Sequence, residues 1–138
     1  MNIKRAIWVG VVTYILSFIV GMVSAILIGF DINQAEMPTS FYVIGIIISI
    51  VLAGLFTLVY FRDKKIKASA KEGFYFGLVL IIIGFIMDII IFSIGAAAGS
   101  EMDILAYYSN SMFWIALVLF VATTTIVGAI KRKKSKNL

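Results

Sequence analysis

One apolar run with a single acid in it determines the fold class. Residues 73–95 read GFYFGLVLIIIGFIMDIIIFSIG. A helix rises about 1.5 Å per residue, so a run of this length crosses the roughly 30 Å hydrocarbon core of a bilayer. Similar runs occupy residues 6–30, 41–61 and 112–130. The sequence therefore predicts four transmembrane helices.

The composition agrees with a membrane protein and argues against an enzyme. Hydrophobic residues make up 62% of the 138 residues and charged residues only 14%, more apolar surface than a soluble domain of this size can bury. Cys and His are both absent, which removes thiolate chemistry and the commonest general base and metal ligand. No phosphate loop, GxSxG or HExxH motif occurs. We expect no catalysis, no cofactor and no metal site.

The basic residues predict the orientation. They fall into three groups, before the first run, between the second and third, and after the fourth, while the other side of the membrane carries acids only. The basic residues are Lys4, Arg5, Arg62, Lys64, Lys65, Lys67, Lys71, Lys131, Arg132, Lys133, Lys134 and Lys136, and the opposing acids are Asp31, Glu36, Glu101 and Asp103. By the positive-inside rule both termini lie in the cytoplasm. We predict one all-α domain, residues 1–138, folded as an up-down-up-down four-helix bundle in the cell (cytoplasmic) membrane.

The segment before the fourth run has two interpretations. Ser100 and Asp103 form a near capping-box pattern, which predicts either a short interfacial helix or an extension of the fourth span. Asn110, between two serines, favours a break.

The two halves of the chain resemble each other. A shift of 67 residues places Lys4 on Lys71, Gly10 on Gly77 and Thr57 on Thr124. This pattern indicates a parallel duplication of a hairpin, residues 1–67 and 68–138. Chance similarity between two apolar hairpins is the alternative.

Asp88 is the only acidic or basic side chain inside a predicted span. A central Asp costs about 2.5–3.5 kcal/mol on the insertion scale, while each Leu, Ile, Phe or Val contributes about 0.3–0.6 kcal/mol in favour. Thirteen such residues lie between positions 78 and 94, so the span inserts with its acid turned away from lipid. No basic residue occurs in any span, and we expect a protonated, hydrogen-bonded acid unless water or a cation reaches it.

Small residues form one stripe on span one and one on span three. At about 100° per residue each stripe occupies one helix face. The stripes are Gly10, Thr13, Ser17, Gly21 and Ser24 in span one, and Gly73, Gly77, Gly84 and Gly95, with Asp88, in span three. Small residues let helix backbones approach and hydroxyls bond across the contact, so we expect the two spans to pack through these stripes.

The stripes suggest neighbours for Asp88. We expect it to lie near Ser17, Gly21 or Ser24, which with Asp88 form a candidate proton or ligand site. The other stripe residues are predicted to serve helix packing. A functional acid and an acid that only locks the packing are both left open.

The basic side also offers candidate contacts for anionic lipid headgroups. These candidates are Arg62, Lys64, Lys65, Lys67, Lys131 and Arg132. We expect membrane lipids as partners and no nucleic acid. A chain of this size encloses little cavity, so the sequence allows a homodimer if the protein transports anything.

The start of the chain, MNIKRAIWVG, and the pattern Gly73-Phe-x-x-Gly77 followed by Gly84 and Asp88 resemble small four-span prokaryotic membrane proteins of unknown function. The resemblance implies the fold and no activity. Our first hypothesis is a structural or accessory membrane protein. The alternatives are a small proton- or cation-coupled transporter or channel that uses Asp88, and a lipid-binding module.

Overall fold

The computed structural model describes residues 1–29, 38–99 and 103–136, and its described residues form helices and turns without strands. The helices are α1 Ile3–Leu27, α2 Thr39–Tyr60, α3 Ala70–Ala97, α4 Ile104–Ser109 and α5 Ser111–Lys136. All but α4 contain a stretch long and apolar enough to cross a membrane, which in α5 is Ser111–Lys133. The prediction of four apolar helices in a multi-pass membrane protein is confirmed. Ser100 and the acids Asp31, Glu36 and Glu101 lie outside the described residues.

Polar caps and glycines set the helix ends. The side chain of Asn2 accepts a hydrogen bond from the Arg5 N–H at 3.2 Å, and Ser69 accepts one from the Glu72 N–H at 3.0 Å. These caps start α1 and α3 several residues before their apolar runs, because each satisfies a free backbone donor of the first turn. After α1 and α3 the chain turns through Gly29 and Gly99, whose φ angles are +69° and +83°.

The segment before α5 contains a short helix. Asp103 caps α4 by accepting from the Leu105 N–H at 2.8 Å. Asn110, with ψ at 124°, is extended and interrupts the helical conformation. Its side chain accepts a hydrogen bond from the Met112 N–H at 2.9 Å. The short helix, and not an extended fourth span, is therefore the conformation present. Asn110 separates α4 from α5 because its side chain caps the first turn of α5.

The long helices form a bundle in which α1 packs against α2 and α3, and α5 packs against the same two. The most extensive contact joins α3 to α5, whereas α2 and α3 barely touch. The duplication of residues 1–67 and 68–138 stays a prediction.

Several contacts gather four helix termini at one end of the bundle. Arg5 in α1 donates hydrogen bonds to the carbonyl oxygens of Val59 at 2.6 Å and Tyr60 at 3.0 Å, at the end of α2. The Tyr60 hydroxyl donates to Glu72 at the start of α3, at 2.6 Å. Gly128, late in α5, lies against the backbone of Ser69. We call this end the basic end, and the bundle half next to it the basic half.

Most of the core lies in the basic half. The six residues that form the core cluster are Ala6, Val9, Tyr60, Phe61, Phe76 and Leu80. All buried positions of α2 lie between Ala53 and Tyr60, and those of α3 between Gly73 and Ile83. Many large apolar side chains in both halves of the long helices are exposed, as expected for surfaces that face lipid.

The small-residue stripes pack differently from our expectation. Gly10 of α1 does face α3. Gly73 and Gly77, however, face α5, where a Cβ on either one would collide with Thr124. The hypothesis that the stripes of α1 and α3 face each other is wrong at these two glycines. The reason is that α5 also presents small residues here, Thr124 and Gly128, so its backbone comes closest to α3.

Candidate functional site

Asp88 lies in the half of the bundle away from the basic end, which we call the Asp88 half. It is half-buried, and each of its carboxyl oxygens meets a tyrosine. Oδ1 accepts a hydrogen bond from the Tyr14 hydroxyl at 2.5 Å, and Oδ2 accepts one from the Tyr108 hydroxyl at 3.2 Å. Tyr14 belongs to α1 and Tyr108 to α4, so the acid connects three helices.

Aromatic rings surround this connection and form what we call the aromatic layer. Its members are Tyr42, Phe85, Phe92, Tyr107, Tyr108 and Phe113. The ring centroids of Tyr107 and Phe113 are 4.9 Å apart, and those of Tyr108 and Phe113 are 5.1 Å apart. Tilted contacts at these distances are favourable for aromatic pairs. The layer brings together α2, α3, α4 and the start of α5.

Helix packing is looser at the level of Asp88 than at the basic end. Gly10 and Gly21 lie about 20° apart on one face of α1, because 11 residues span close to three turns. Gly10 is in tight contact with α3, but among the described residues no atom lies within 4 Å of a Cβ built on Gly21. The same contrast holds on α3 between Gly77, pressed against Thr124, and Gly84, which has open space beside it. In the Asp88 half the helices are therefore joined by contacts between aromatic rings and not by close backbone contact.

Tyr108 is held from two sides. The indole N–H of Trp114 donates to its carbonyl oxygen at 2.8 Å, while its hydroxyl donates to Asp88. Burial, together with the carboxyl group of Asp88, raises the pKa of Tyr108 to about 12. The hydroxyl therefore keeps its proton at neutral pH and remains a hydrogen-bond donor to Asp88.

The polar residues that we expected near Asp88 do not bond to it. The Ser24 hydroxyl donates to the Val20 carbonyl of its own helix at 2.8 Å. Ser17 and Gly21 are half-buried on the same face of α1 as Tyr14, at spacings of three and seven residues, but neither is among the hydrogen-bond partners of Asp88. The residue of this α1 face that reaches the acid is Tyr14.

Sequence reasoning missed Tyr14 and Tyr108. Tyr14 shares its helix face with Ser17, a signal that was present in the spacing. Tyr108 lies near the end of a span, where tyrosines are common because they favour the membrane interface. Its position in the sequence therefore did not indicate a hydrogen bond to Asp88.

The remaining predicted packing residues differ in their surroundings. Thr13 is buried, and its hydroxyl donates to the Val9 carbonyl at 2.7 Å. Gly84 and Gly95 are half-buried in the Asp88 half, and Gly84 makes no close contact with another described helix.

A second polar cluster lies at the basic end. Tyr60 is fully buried, its hydroxyl bonds to Glu72 and accepts from the Asn2 N–H at 3.2 Å, and its ring stacks on Phe76 at 4.2 Å. A surface depression of about 340 Å³ adjoins this cluster, lined by Met1, Asn2, Lys65, Ile66, Lys67 and Glu72.

The predicted headgroup residues lie around this end. Lys131 is half-buried, and the other five are exposed. Only Lys65 and Lys67 line the depression.

Comparisons with other proteins add no further constraint. No family model matches the chain, and no curated protein or solved structure is significantly similar to it. Within residues 1–29, 38–99 and 103–136, no three Asp or Glu side chains lie together as metal ligands would.

Proposed function

We propose that this chain is a non-catalytic structural or accessory protein of the cytoplasmic membrane, with an up-down-up-down bundle and both termini in the cytoplasm. The observation that carries the proposal is the double hydrogen bond of Asp88. One acid fastens α1 and the short α4 onto α3, in the half of the bundle where helix packing is looser. An intramembrane acid used in this way fixes the arrangement of helices.

The orientation rests on charge. Three groups of basic residues lie at the end of the bundle where four helix termini meet. They are Lys4 and Arg5 at the start of α1, the basic residues between α2 and α3, and those at the end of α5. Short loops carrying Lys and Arg stay in the cytoplasm during insertion. That rule supports the cytoplasmic assignment of this end and the alternating direction of the four spans.

Replacing Tyr14 by phenylalanine should lower the free energy of unfolding. Side-chain hydrogen bonds between membrane helices contribute about 0.6 kcal/mol on average and up to about 1.7 kcal/mol. We expect a loss in this range for Tyr14→Phe and for Asp88→Asn, and a loss smaller than the sum in the double variant, since both changes weaken or remove the same Tyr14–Asp88 bond. Unfolding in detergent micelles, followed by circular dichroism, measures all three values.

Tyr75→Phe is the matched control, because this tyrosine is exposed on α3 and its hydroxyl makes no described hydrogen bond. It should leave the unfolding free energy unchanged. An Asp88→Asn protein as stable as the wild type, or more stable, would contradict the structural role, because residues kept for function often lower stability.

Cysteine labelling tests the orientation without background, since the chain contains no Cys. Ala106→Cys in α4 should react with a membrane-impermeant maleimide in intact cells. Lys67→Cys at the basic end should react only after the membrane is permeabilised. Reaction of Lys67→Cys in intact cells would refute the proposed orientation.

A site for a proton or cation at Asp88 is the second candidate function. The observation in its favour is that, among the described residues, Asp88 accepts hydrogen bonds from neutral tyrosine hydroxyls and has no basic partner.

A further inference from the structure

We propose that Asp88 and the aromatic layer bind an organic ammonium ion, a positively charged nitrogen with apolar substituents, that enters from the Asp88 half. This site would be a ligand-binding function beyond the structural role proposed above.

The charge distribution selects a cation. No Lys, Arg or His occurs between positions 6 and 61 or between 72 and 130, a stretch that includes every residue of the Asp88 half. Asp103 caps α4 in the same half, so the charged groups described there are all acidic. A region with charges of one sign attracts ions of the opposite sign.

The carboxyl group keeps capacity for another partner. A carboxylate offers about four lone-pair sites, and the hydroxyls of Tyr14 and Tyr108 occupy one on each oxygen. The Tyr108 bond, at 3.2 Å, is the longer of the two. Because Tyr108 lies on a helix of only six residues, it is the partner that a ligand would displace.

The surrounding rings favour an organic cation over a metal ion. Aromatic faces attract ammonium groups through their negative quadrupole, and they also bury apolar substituents. Metal ions of the Ca²⁺ type require six or more oxygen ligands, whereas the described part of this site provides one carboxyl group and two phenols. The mutually tilted rings of Tyr107, Tyr108 and Phe113 provide such surfaces, and the Tyr108 hydroxyl bonds to Asp88.

Open space lies beside one glycine on each of the two helices that carry Asp88 and Tyr14. Gly84 precedes Asp88 by one helical turn on the same face of α3, and a Cβ at that position would meet nothing within 4 Å among the described residues. Gly21 leaves similar space on α1, on the face that carries Tyr14. Asp88 itself is only half-buried, so a ligand can reach it without unfolding of the core.

Tryptophan fluorescence provides a local measurement of binding. The chain has two tryptophans, Trp8 in the basic half and Trp114, whose indole bonds to Tyr108. In a Trp8→Phe protein in detergent micelles, titration with benzyltrimethylammonium should change the Trp114 emission saturably. Its uncharged carbon analogue, neopentylbenzene, should produce no saturable change.

Four substitutions in this background separate binding from folding. Asp88→Asn should weaken binding at least about tenfold, which corresponds to about 1.4 kcal/mol. Tyr108→Leu, which removes a ring, should weaken it about threefold or more. Tyr108→Phe should bind as well as or better than the parent, because it keeps the ring and removes the hydroxyl that competes for the carboxylate. Glu72→Gln, at the opposite end of α3, should not change the affinity.

The inference is overturned if the parent protein shows no saturable response, if Asp88→Asn binds with unchanged affinity, or if the neutral analogue gives the same response. Each variant is checked for helicity and size before titration, so that loss of binding in a folded protein is recognised. The structural role fails independently, through an unfolding free energy of Asp88→Asn equal to or above that of the wild type.

Discussion

Gly73→Ala should destabilise the protein by about 1–3 kcal/mol, the usual cost of overpacking a close contact. The added Cβ would collide with the carbonyl oxygen of Thr124 and would lie 3.0 Å from its carbonyl carbon and 3.2 Å from the Cα of Thr125. These are backbone atoms of α5 that no rotamer change can move. The helices must separate, which reduces the most extensive contact in the bundle. Unfolding by SDS titration, followed by circular dichroism, measures the loss.

Gly84→Ala is the matched control on the same helix and the same face. No described atom lies within 4 Å of its added Cβ, so the higher helix propensity of alanine should leave stability unchanged or raise it by up to about 1 kcal/mol. Equal destabilisation by the two substitutions would show that α3 does not approach α5 at Gly73 as described.

Tyr60→Ala should cost about 3–5 kcal/mol, as for other large aromatic residues removed from a core. Tyr60 is fully buried, stacks on Phe76 and bonds to Glu72, so one side chain joins the end of α2 to α3. We expect a marked fall in the unfolding midpoint in micelles and less protein in the membrane fraction.

Two further substitutions divide this effect into its parts. Tyr60→Phe keeps the stacked ring and removes only the hydroxyl, so it should cost much less than Tyr60→Ala. Tyr75→Ala removes a tyrosine that is 43% exposed on α3, and its effect should be small. A Tyr75→Ala loss as large as that of Tyr60→Ala would mean that burial in the bundle does not determine the effect.

The four apolar helices could be predicted from the sequence because length and hydropathy are local properties. The sequence also predicted that Asp88 faces the interior of the bundle, because an acid in an apolar run must turn away from lipid. Helix neighbours are a different matter. The glycine pattern of α3 identified a packing face, but the partner of that face depends on which other helix presents small residues at the same depth. Gly128 and Thr124 met that condition, and a single stripe could not show it.

The hydrogen-bond partners of Asp88 illustrate the same limit. Tyr14 is 74 residues away in sequence, and Tyr108 projects from a six-residue helix beyond the end of α3. Serines in α1 were plausible donors by composition. Their hydroxyls are short, however, and Ser24 bonds to its own helix, whereas a tyrosine reaches across a wider gap between helices.

The uneven distribution of buried residues has a consequence for motion. Regions with few buried contacts open at a lower free energy than the core. In the orientation that we propose, thermal fluctuations should separate the helices first at their ends in the outer leaflet. The cytoplasmic ends should stay packed together. Backbone amides near Gly21 and Gly84 would then exchange hydrogen for deuterium sooner than those near Gly10 and Gly77. Lipids and solutes of the outer leaflet would thus contact the surfaces between the separated helices, while the core at the cytoplasmic end stays buried.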